Sequence, residues 1–350
     1  MNMSDSSPSS ADDHAGAKGT QGPLLKSRSA ESARLVPWTT SLAGRHVGAV
    51  VLGATLLAAA ALLLPHAAAQ TPQPHAGPHV VTSTTVFADL VQQVGGDRLS
   101  GVQSVVPAGV DVEDYEPKPS DLQAVAQANL LVMNGLALDR WVPKLVQSAN
   151  PAVTTLVLSN GLPVLGVGAS EDEDIAQNGN PHFWLDPQYA KVYVQRIHDQ
   201  LVSIDPDGAG IYDANTASYL TQLDELDEWI QQQVATLPAD QRKLVTFHEA
   251  YPYFAARYGF QLIGVITPSP GQEPSAGELA QLVQTVKAAQ VKAVFSEAQF
   301  SPKLTQTLAQ EAGVQQVVAD LYNDSLGDPP ADTYIGMMRY NVERIVQALA

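Results

Sequence analysis

Beyond residue 79, short apolar runs alternate with amphipathic helical segments along the rest of the chain. Continuous apolar runs are typical of strands buried on both faces, and parallel strands need a crossover, usually a helix, between them. The alternation therefore predicts an α/β fold built from βαβ units. The expected strands lie at 80–86, 102–106, 130–134 and 154–158, and then at 244–247, 262–266, 293–295 and 316–319.

A long helical segment separates the two sets of expected strands. Residues 209–237 carry leucine, isoleucine and valine at three- and four-residue spacing, and Pro238 ends the pattern. At about 1.5 Å per residue this helix is roughly 40 Å long, enough to run the height of two lobes. We therefore expect two α/β lobes, 80–208 and 238–350, joined by the 209–237 helix. The alternative is a helix that packs on one lobe only.

The N-terminal region is expected to direct export rather than to join the folded body. Residues 1–44 lack periodic apolar positions, and Arg45 then precedes an apolar run at 47–64 that small residues follow. This order is typical of a secretory signal peptide, and the run is also just long enough for an uncleaved N-terminal anchor. Residues 1–69 are thus predicted to be a disordered leader with a signal or anchor, and 70–79 a tether. Either form places the body in the periplasm or outside the cell, associated with the membrane.

Composition excludes several classes of protein. The chain has no cysteine, which rules out disulfide scaffolds, thiolate metal sites, cysteine nucleophiles and the lipid-modified cysteine of bacterial lipoproteins. Its formal charge is −17, from 36 acidic against 19 basic residues. Because binding to a phosphate backbone needs clustered lysine and arginine, we expect no nucleic-acid partner.

Polar segments follow four of the expected strands, and open parallel sheets bind ligands at the carboxyl ends of their strands. The segments 111–117 and 180–187 follow the second and fourth strands, His248 follows the fifth, and 321–328 follows the eighth. Two imidazoles, His182 and His248, and several carboxylates are thereby predicted to meet in one cleft, as a site for zinc or manganese. The alternative is that each histidine only packs and hydrogen-bonds after its strand, because no short metal-binding motif joins the two.

These segments resemble those of the solute-binding proteins of metal-uptake ABC transporters, which take up zinc, manganese or iron. The resemblance runs from about residue 80 to the end of the chain. It rests on PAGVDVEDYEPKPSD at 107–121, NGL at 134–136, WLDP at 184–187, YFAARYG at 253–259 and YIGMMRYN at 334–341. It implies that each lobe has a four-stranded parallel sheet flanked by helices, that a single long rigid helix joins the lobes, and that a metal ion binds in the cleft between them.

The resemblance also implies four metal-binding positions. His182, His248 and Asp324 match the second, third and fourth of them. Glu113 stands at the first position, where relatives usually carry a histidine. Glutamate is able to bind zinc or manganese, so we expect Glu113 to keep the site complete.

The glutamate at position 113 affects which metal the site is expected to prefer. A second carboxylate shifts preference towards manganese or iron, whereas a histidine at the third position and the segment 267–275 resemble the zinc-binding members. We therefore expect Zn²⁺, with Mn²⁺ or iron as the alternative. If Glu113 instead points away, Asp111, Asp114 or a water molecule would complete the site. Glu297, after the seventh strand, is expected to orient a histidine without binding the metal.

The function implied by the resemblance is high-affinity capture of a divalent transition metal outside the cytoplasm. A monomeric protein would deliver the ion to a membrane ABC permease. A zinc hydrolase is one competing class, with Glu249 beside His248 as general base. Neighbouring side chains on an extended segment point apart, however, so we expect no enzymatic activity. A metal-dependent adhesin is the other alternative.

Overall fold

The computed structural model describes residues 77–166, 168, 170–267 and 271–350. The predicted leader, 1–69, and most of the predicted tether lie outside the described residues, as does part of the segment 267–275. No helix in the described ranges is both long and apolar enough to cross a membrane.

Strands and helices alternate along the described chain in the predicted order. The strands are β1 (His79–Thr82), β2 (Gly101–Ser104), β3 (Leu130–Met133), β4 (Thr154–Val157), β5 (Lys243–Thr246), β6 (Gln261–Val265), β7 (Ala293–Glu297) and β8 (Gln316–Leu321). The helices are α1 (Thr85–Gly95), α2 (Pro119–Gln127), α3 (Val142–Ala149), α4 (Glu173–Asn178), α5 (Pro187–Ile204), α6 (Ala209–Ala235), α7 (Pro252–Tyr258), α8 (Ala276–Ala289), α9 (Lys303–Ala312) and α10 (Tyr334–Leu349). The predicted α/β class is confirmed.

The first four strands form one parallel sheet in the order β2-β1-β3-β4. Strands β1 and β3 lie in its centre and are almost completely buried, which explains their continuous apolar sequence. The predicted first strand, 80–86, extends too far, because β1 ends at Thr82. Thr84 caps the next helix instead: its side-chain oxygen accepts a hydrogen bond from the backbone N–H of Phe87 at 3.5 Å.

The last four strands form two parallel pairs within the described residues, β5–β6 and β7–β8, where one four-stranded ladder was expected. Strand β5 lies beside β7, with Cα atoms within 8 Å of each other. Each pair contains a register shift, one between Leu244 and Val245 and the other between Phe295 and Glu297. A bulge bends and twists its strand, and this distortion accompanies the break in the ladder.

The long helix α6 covers almost all of the predicted 209–237 segment. Its buried face, which includes Tyr219, Leu226 and Ile230, packs against α1 and α5 and also against α10 at the C-terminus. One hydrophobic core therefore runs from the first sheet past α6 to the C-terminal helix. A smaller core lies between strands β5 and β7 and helices α8 and α9.

Candidate metal centre

Glu113 lies on the loop between β2 and α2. Asp111 Oδ1 accepts a hydrogen bond from the backbone N–H of Glu113 at 2.9 Å. Trp141 Nε1 donates to the carbonyl oxygen of Val112 at 2.8 Å, which ties the loop to the start of α3. The Glu113 side chain is only 14% exposed, and it points inward.

His182 lies between α4 and α5, directly before a short 3₁₀ turn at Phe183–Leu185. Asn134 Nδ2 donates to the carbonyl oxygen of Pro181 at 3.1 Å, and Tyr193 Oη donates to Asn134 Oδ1 at 2.5 Å. These bonds attach the segment to the end of β3 and to α5. The His182 side chain is completely buried.

His248 and Asp324 come from the second half of the chain. His248 follows β5, where Thr246 Oγ1 donates to the His248 carbonyl oxygen at 2.8 Å. Asp324 follows β8, and the neighbouring Ser325 Oγ accepts a hydrogen bond from the backbone N–H of Gly109 at 2.8 Å. This bond connects the Asp324 segment to the loop that carries Glu113. Both His248 and Asp324 are buried.

The four side chains predicted to bind metal meet at one place. Nε2 of His182 lies 3.2 Å from Nε2 of His248, 3.3 Å from Oδ1 of Asp324 and 3.7 Å from Oε1 of Glu113. Nε2 of His248 lies 3.5 Å from Oδ2 of Asp324. In the described part of the chain, single ligand atoms of Glu113, His182 and His248 all lie within 4.8 Å of one another. We call these four residues the cluster.

Both imidazole rings turn Nδ1 away from the cluster. Nδ1 of His248 lies 3.3 Å from Oε1 of Glu297, the last residue of β7. The same Glu297 oxygen accepts a hydrogen bond from Asn323 Nδ2 at 2.6 Å, which holds the carboxylate in place. Nδ1 of His182 lies 3.1 Å from Oδ1 of Asn180. Because each Nδ1 faces an acceptor, each ring in its neutral form carries its lone pair on Nε2, directed into the cluster.

With neutral imidazoles, the cluster consists of hydrogen-bond acceptors only. Two Nε2 atoms and the carboxylates of Glu113 and Asp324 face one another, and neither oxygen of Asp324 has a hydrogen-bond partner within the described ranges. Unpaired carboxylates are costly to bury, and neighbouring lone pairs repel. The arrangement is therefore favourable only when a cation, either a proton or a metal ion, lies among these atoms.

Burial and the neighbouring charges shift the pKa values of all four residues of the cluster. Burial raises the pKa of Glu113 well above its usual range, and burial lowers the pKa of His182. Burial also opposes charge on His248, but the carboxylates of Glu297, Asp324 and Glu113 outweigh it and raise the pKa of His248 to about 10. Burial would raise the pKa of Asp324, yet the two imidazoles hold that pKa below its usual value. Without a metal, the cluster therefore holds a proton on His248 at neutral pH.

The other carboxylates considered in the sequence, Asp111 and Asp114 as substitutes for Glu113 and Glu249 as a hydrolytic base, make other contacts. Asp111 accepts the backbone hydrogen bond of Glu113 and, chiefly through burial, has a pKa raised to about 6. Asp114 Oδ2 lies against Gly271 of the second half, where an added β-carbon would come within 1.8 Å of it. Glu249, the proposed base of a hydrolase, accepts a hydrogen bond from Ser170 Oγ at 2.6 Å. Glu113 is the carboxylate of its loop that approaches His182.

Two buried asparagines that support the cluster did not emerge from the sequence. Asn180 contacts the His182 ring. Asn323 contacts Glu297 and also accepts a hydrogen bond from Tyr251 Oη at 2.7 Å through its Oδ1 atom. A local signal existed for Asn180, because an asparagine two residues before a histidine readily accepts the backbone N–H of that histidine. For Asn323 the only signal was its place two residues after β8.

Comparison with known sequences identifies a family. Residues 80–348 match the family described as zinc-uptake complex component A, periplasmic. The chain is 37% identical over 276 residues to the manganese-binding lipoprotein MntA of Halalkalibacterium halodurans, covering 78% of this chain and 89% of the relative. It is 31% identical over 270 residues to the iron-binding protein YfeA of Yersinia pestis, covering 77% of this chain and 85% of the relative.

Solved structures of periplasmic metal-binding proteins are also similar to this chain. The periplasmic zinc-binding protein TroA from Treponema pallidum is similar with a TM-score of 0.72 at 27% identity, over 78% of this chain and 99% of that protein. The Mn-bound periplasmic metal-binding protein from Candidatus Liberibacter asiaticus is similar with a TM-score of 0.70 at 25% identity, over 78% of this chain and 100% of that protein. The resemblance drawn from the sequence motifs is confirmed.

Proposed function

The chain belongs to the zinc-uptake complex component A family of metal-binding components of ABC transporters, and we propose that it captures a divalent transition metal outside the cytoplasm and passes it to a membrane permease. The observation that carries this proposal is the buried cluster of acceptors. Two imidazole nitrogens and two carboxylates face one another, and the oxygens of Asp324 lack a donor among the described residues. A transported cation is the partner that such a cluster lacks.

The proposed ligands are Glu113, His182, His248 and Asp324. Zinc bonds of about 2.0–2.2 Å in a tetrahedron separate the ligand atoms by roughly 3.3–3.6 Å. The distances from Nε2 of His182 to its neighbours in the cluster, 3.2, 3.3 and 3.7 Å, lie close to that range. Glu297 would orient His248 by accepting from Nδ1, as carboxylates commonly do for metal-bound histidines.

Zinc is the metal that we favour, because the three donors around Nε2 of His182 lie close to tetrahedral spacing. Manganese is a second candidate on the basis of the donor set. Two carboxylates, one of them Asp324 with both oxygens unpaired within the described ranges, offer more oxygen ligands than a three-histidine site. The 37%-identical relative is named as manganese-binding, which gives this candidate further support.

The proposed function also implies a domain arrangement and a location for the protein. Two lobes, 80–208 and 238–350, would hold the metal between them as a monomer, with 209–237 as the connecting helix. Several relatives are named lipoproteins, but this chain has no cysteine to carry a lipid. We therefore propose that the leader exports the protein, either as a cleaved signal or as an N-terminal anchor. A binding role rather than a hydrolytic one is supported by Glu249, which is engaged with Ser170.

Metal analysis of the full chain, purified without added metal, tests the proposal. We expect one tightly bound divalent ion per chain, and competition titrations should rank Zn²⁺ above Mn²⁺. His182→Ala and His248→Ala should each abolish tight binding. His198→Ala is the matched control, because that histidine is paired with Asp199 and Asp213 on helices α5 and α6. Full zinc affinity in either cluster variant would contradict the proposed site, whereas a preference for manganese would change only the metal.

A further inference from the structure

Asn180 is fully buried directly before the Pro181-His182 pair, and four of its polar contacts involve the two histidine-bearing segments. Its Oδ1 atom accepts a hydrogen bond from the backbone N–H of His182 at 3.0 Å and lies 3.1 Å from Nδ1 of the same residue. Its Nδ2 atom donates to the carbonyl oxygen of Glu249 at 2.5 Å. Its own carbonyl oxygen accepts from Tyr253 Oη at 2.8 Å.

These contacts determine which way the amide points. A backbone N–H can only donate, so the amide atom facing the His182 N–H is the oxygen. A backbone carbonyl can only accept, so the amide atom facing Glu249 is the nitrogen. The two assignments agree. Since the oxygen is also the neighbour of the His182 ring, Nδ1 must carry a proton and Nε2 must be the bare nitrogen that faces the cluster.

The same amide joins the two histidine-bearing segments. Glu249 directly follows His248, so the bond from Asn180 Nδ2 holds the backbone beside one histidine while Oδ1 holds the ring of the other. Tyr253, on helix α7 of the second half, adds a second link to the Asn180 backbone. This buried side chain binds to neither Nε2 atom, yet it helps to hold the two atoms 3.2 Å apart.

We propose that Asn180 is a positioning residue that sets the tautomer of His182 and holds the His182 and His248 segments at metal-binding distance. The inference rests on the proposed function for its consequence in metal affinity, but the tautomer can be measured without any metal. The amide suits this position, because it accepts from His182 and donates to Glu249 at the same time whatever the pH. A carboxylate could accept from His182, but its second oxygen would face the Glu249 carbonyl and repel it.

Two substitutions separate these two tasks. Asn180→Ala removes both contacts, whereas Asn180→Asp retains the acceptor for Nδ1 and loses the donor to Glu249. Asn178→Ala is the matched control, since among the described residues that exposed asparagine's side chain donates to the carbonyl oxygen of Asp174 alone, at 3.1 Å. Circular dichroism and thermal unfolding of the metal-free proteins report whether each variant folds.

The first measurement is long-range ¹H–¹⁵N NMR of the imidazole rings in the metal-free full chain. We expect His182 to be the Nδ1–H tautomer in the unsubstituted protein, in the Asn180→Asp variant and in the control, and a mixture of tautomers in Asn180→Ala. An Nε2–H tautomer in the unsubstituted protein would overturn the inference. So would an unchanged tautomer in Asn180→Ala. If the alanine variant does not fold, loss of the Nδ1–H tautomer in Asn180→Asp would also overturn it.

The second measurement is zinc affinity by competition with a chromophoric chelator. We expect roughly 10- to 100-fold weaker binding in Asn180→Ala, the usual effect of removing a partner of a metal-bound histidine. A smaller loss is expected in Asn180→Asp, and none in Asn178→Ala. Equal affinity in all four proteins would overturn the positioning role. If the unsubstituted protein binds no metal, the proposed function fails, while the NMR result still decides the tautomer and the role of Asn180 in setting it.

Discussion

Zinc affinity should depend steeply on pH, because the metal has to displace a proton from the cluster. The carboxylates of Glu297, Asp324 and Glu113 outweigh the effect of burial and raise the pKa of His248 to about 10. At pH 6 to 8 this imidazole is therefore protonated in the metal-free protein. Burial lowers the pKa of His182, so that ring is already neutral and releases no proton.

The magnitude follows from the proton count. Each proton released makes the dissociation constant tenfold larger for every unit by which pH falls, which is about 1.4 kcal/mol per unit. Binding should thus weaken about 100-fold between pH 8 and pH 6. Burial also raises the pKa of Glu113 well above its usual range. A second proton, on Glu113, should therefore compete with the metal at lower pH, and the slope should become steeper there.

Calorimetry and chelator competition measure this dependence. Titrations at pH 7 in buffers of different ionisation enthalpy should give about one proton released per zinc bound, and competition at pH 6, 7 and 8 should give the slope. His198→Ala should keep the slope, because that histidine lies outside the cluster. No proton release at pH 7, together with a flat affinity between pH 6 and 8, would falsify the assignment of a protonated His248 in the metal-free protein.

The same pKa shift has a consequence for stability. The folded-state pKa of His248, about 10, lies above the unfolded value of about 6.5. This histidine therefore stabilises the metal-free fold fully below pH 6.5, and its contribution is lost as pH rises from 6.5 to 10. Urea unfolding of the metal-free protein across that range should show the decline, and the His248→Ala variant should show less of it.

Substitutions at three positions have further expected outcomes. Glu113→His should raise selectivity for zinc over manganese, and Glu113→Ala should weaken metal binding without abolishing it. Unchanged metal affinity in both variants would show that Glu113 is not a ligand. Ala137→Gly should stabilise the fold by about 1 kcal/mol in urea unfolding, because Ala137 has a φ of 72° that glycine adopts without strain. Asp227→Asn should destabilise the fold by about 3 kcal/mol, since Asp227 is 8% exposed and accepts hydrogen bonds from Arg257 and Tyr258. A loss of unfolding free energy below 1 kcal/mol would contradict a structural role for the Asp227–Arg257 ion pair.

The sequence alone determined the fold class, the four-stranded first sheet and the position of the long helix. These features depend on periodicity within one segment, because apolar runs bury strands and three- and four-residue spacing buries one helix face. Element limits were less well predicted where a side chain, rather than the apolar pattern, ends an element. Thr84, for example, lies inside an apolar-looking run, yet its hydrogen bond to the Phe87 N–H starts a helix.

The candidate site was predictable in kind but not in arrangement. His182 and His248 could be selected because each follows a strand of a parallel sheet, and the motif resemblance singled out Glu113 and Asp324. The sequence could not say which carboxylate of the 111–117 segment faces inward, because that depends on the hydrogen bond from Trp141 and on the close approach of Asp114 to Gly271.

Only the tertiary structure decided how the two imidazoles face each other. His182 and His248 are 66 residues apart, and their separation of 3.2 Å results from the packing of segments from both halves of the chain. Asn180 and Glu297, which orient the two rings, act through contacts between those segments. Such distances depend on how elements far apart in the sequence pack against one another, so they cannot be predicted from a local sequence pattern.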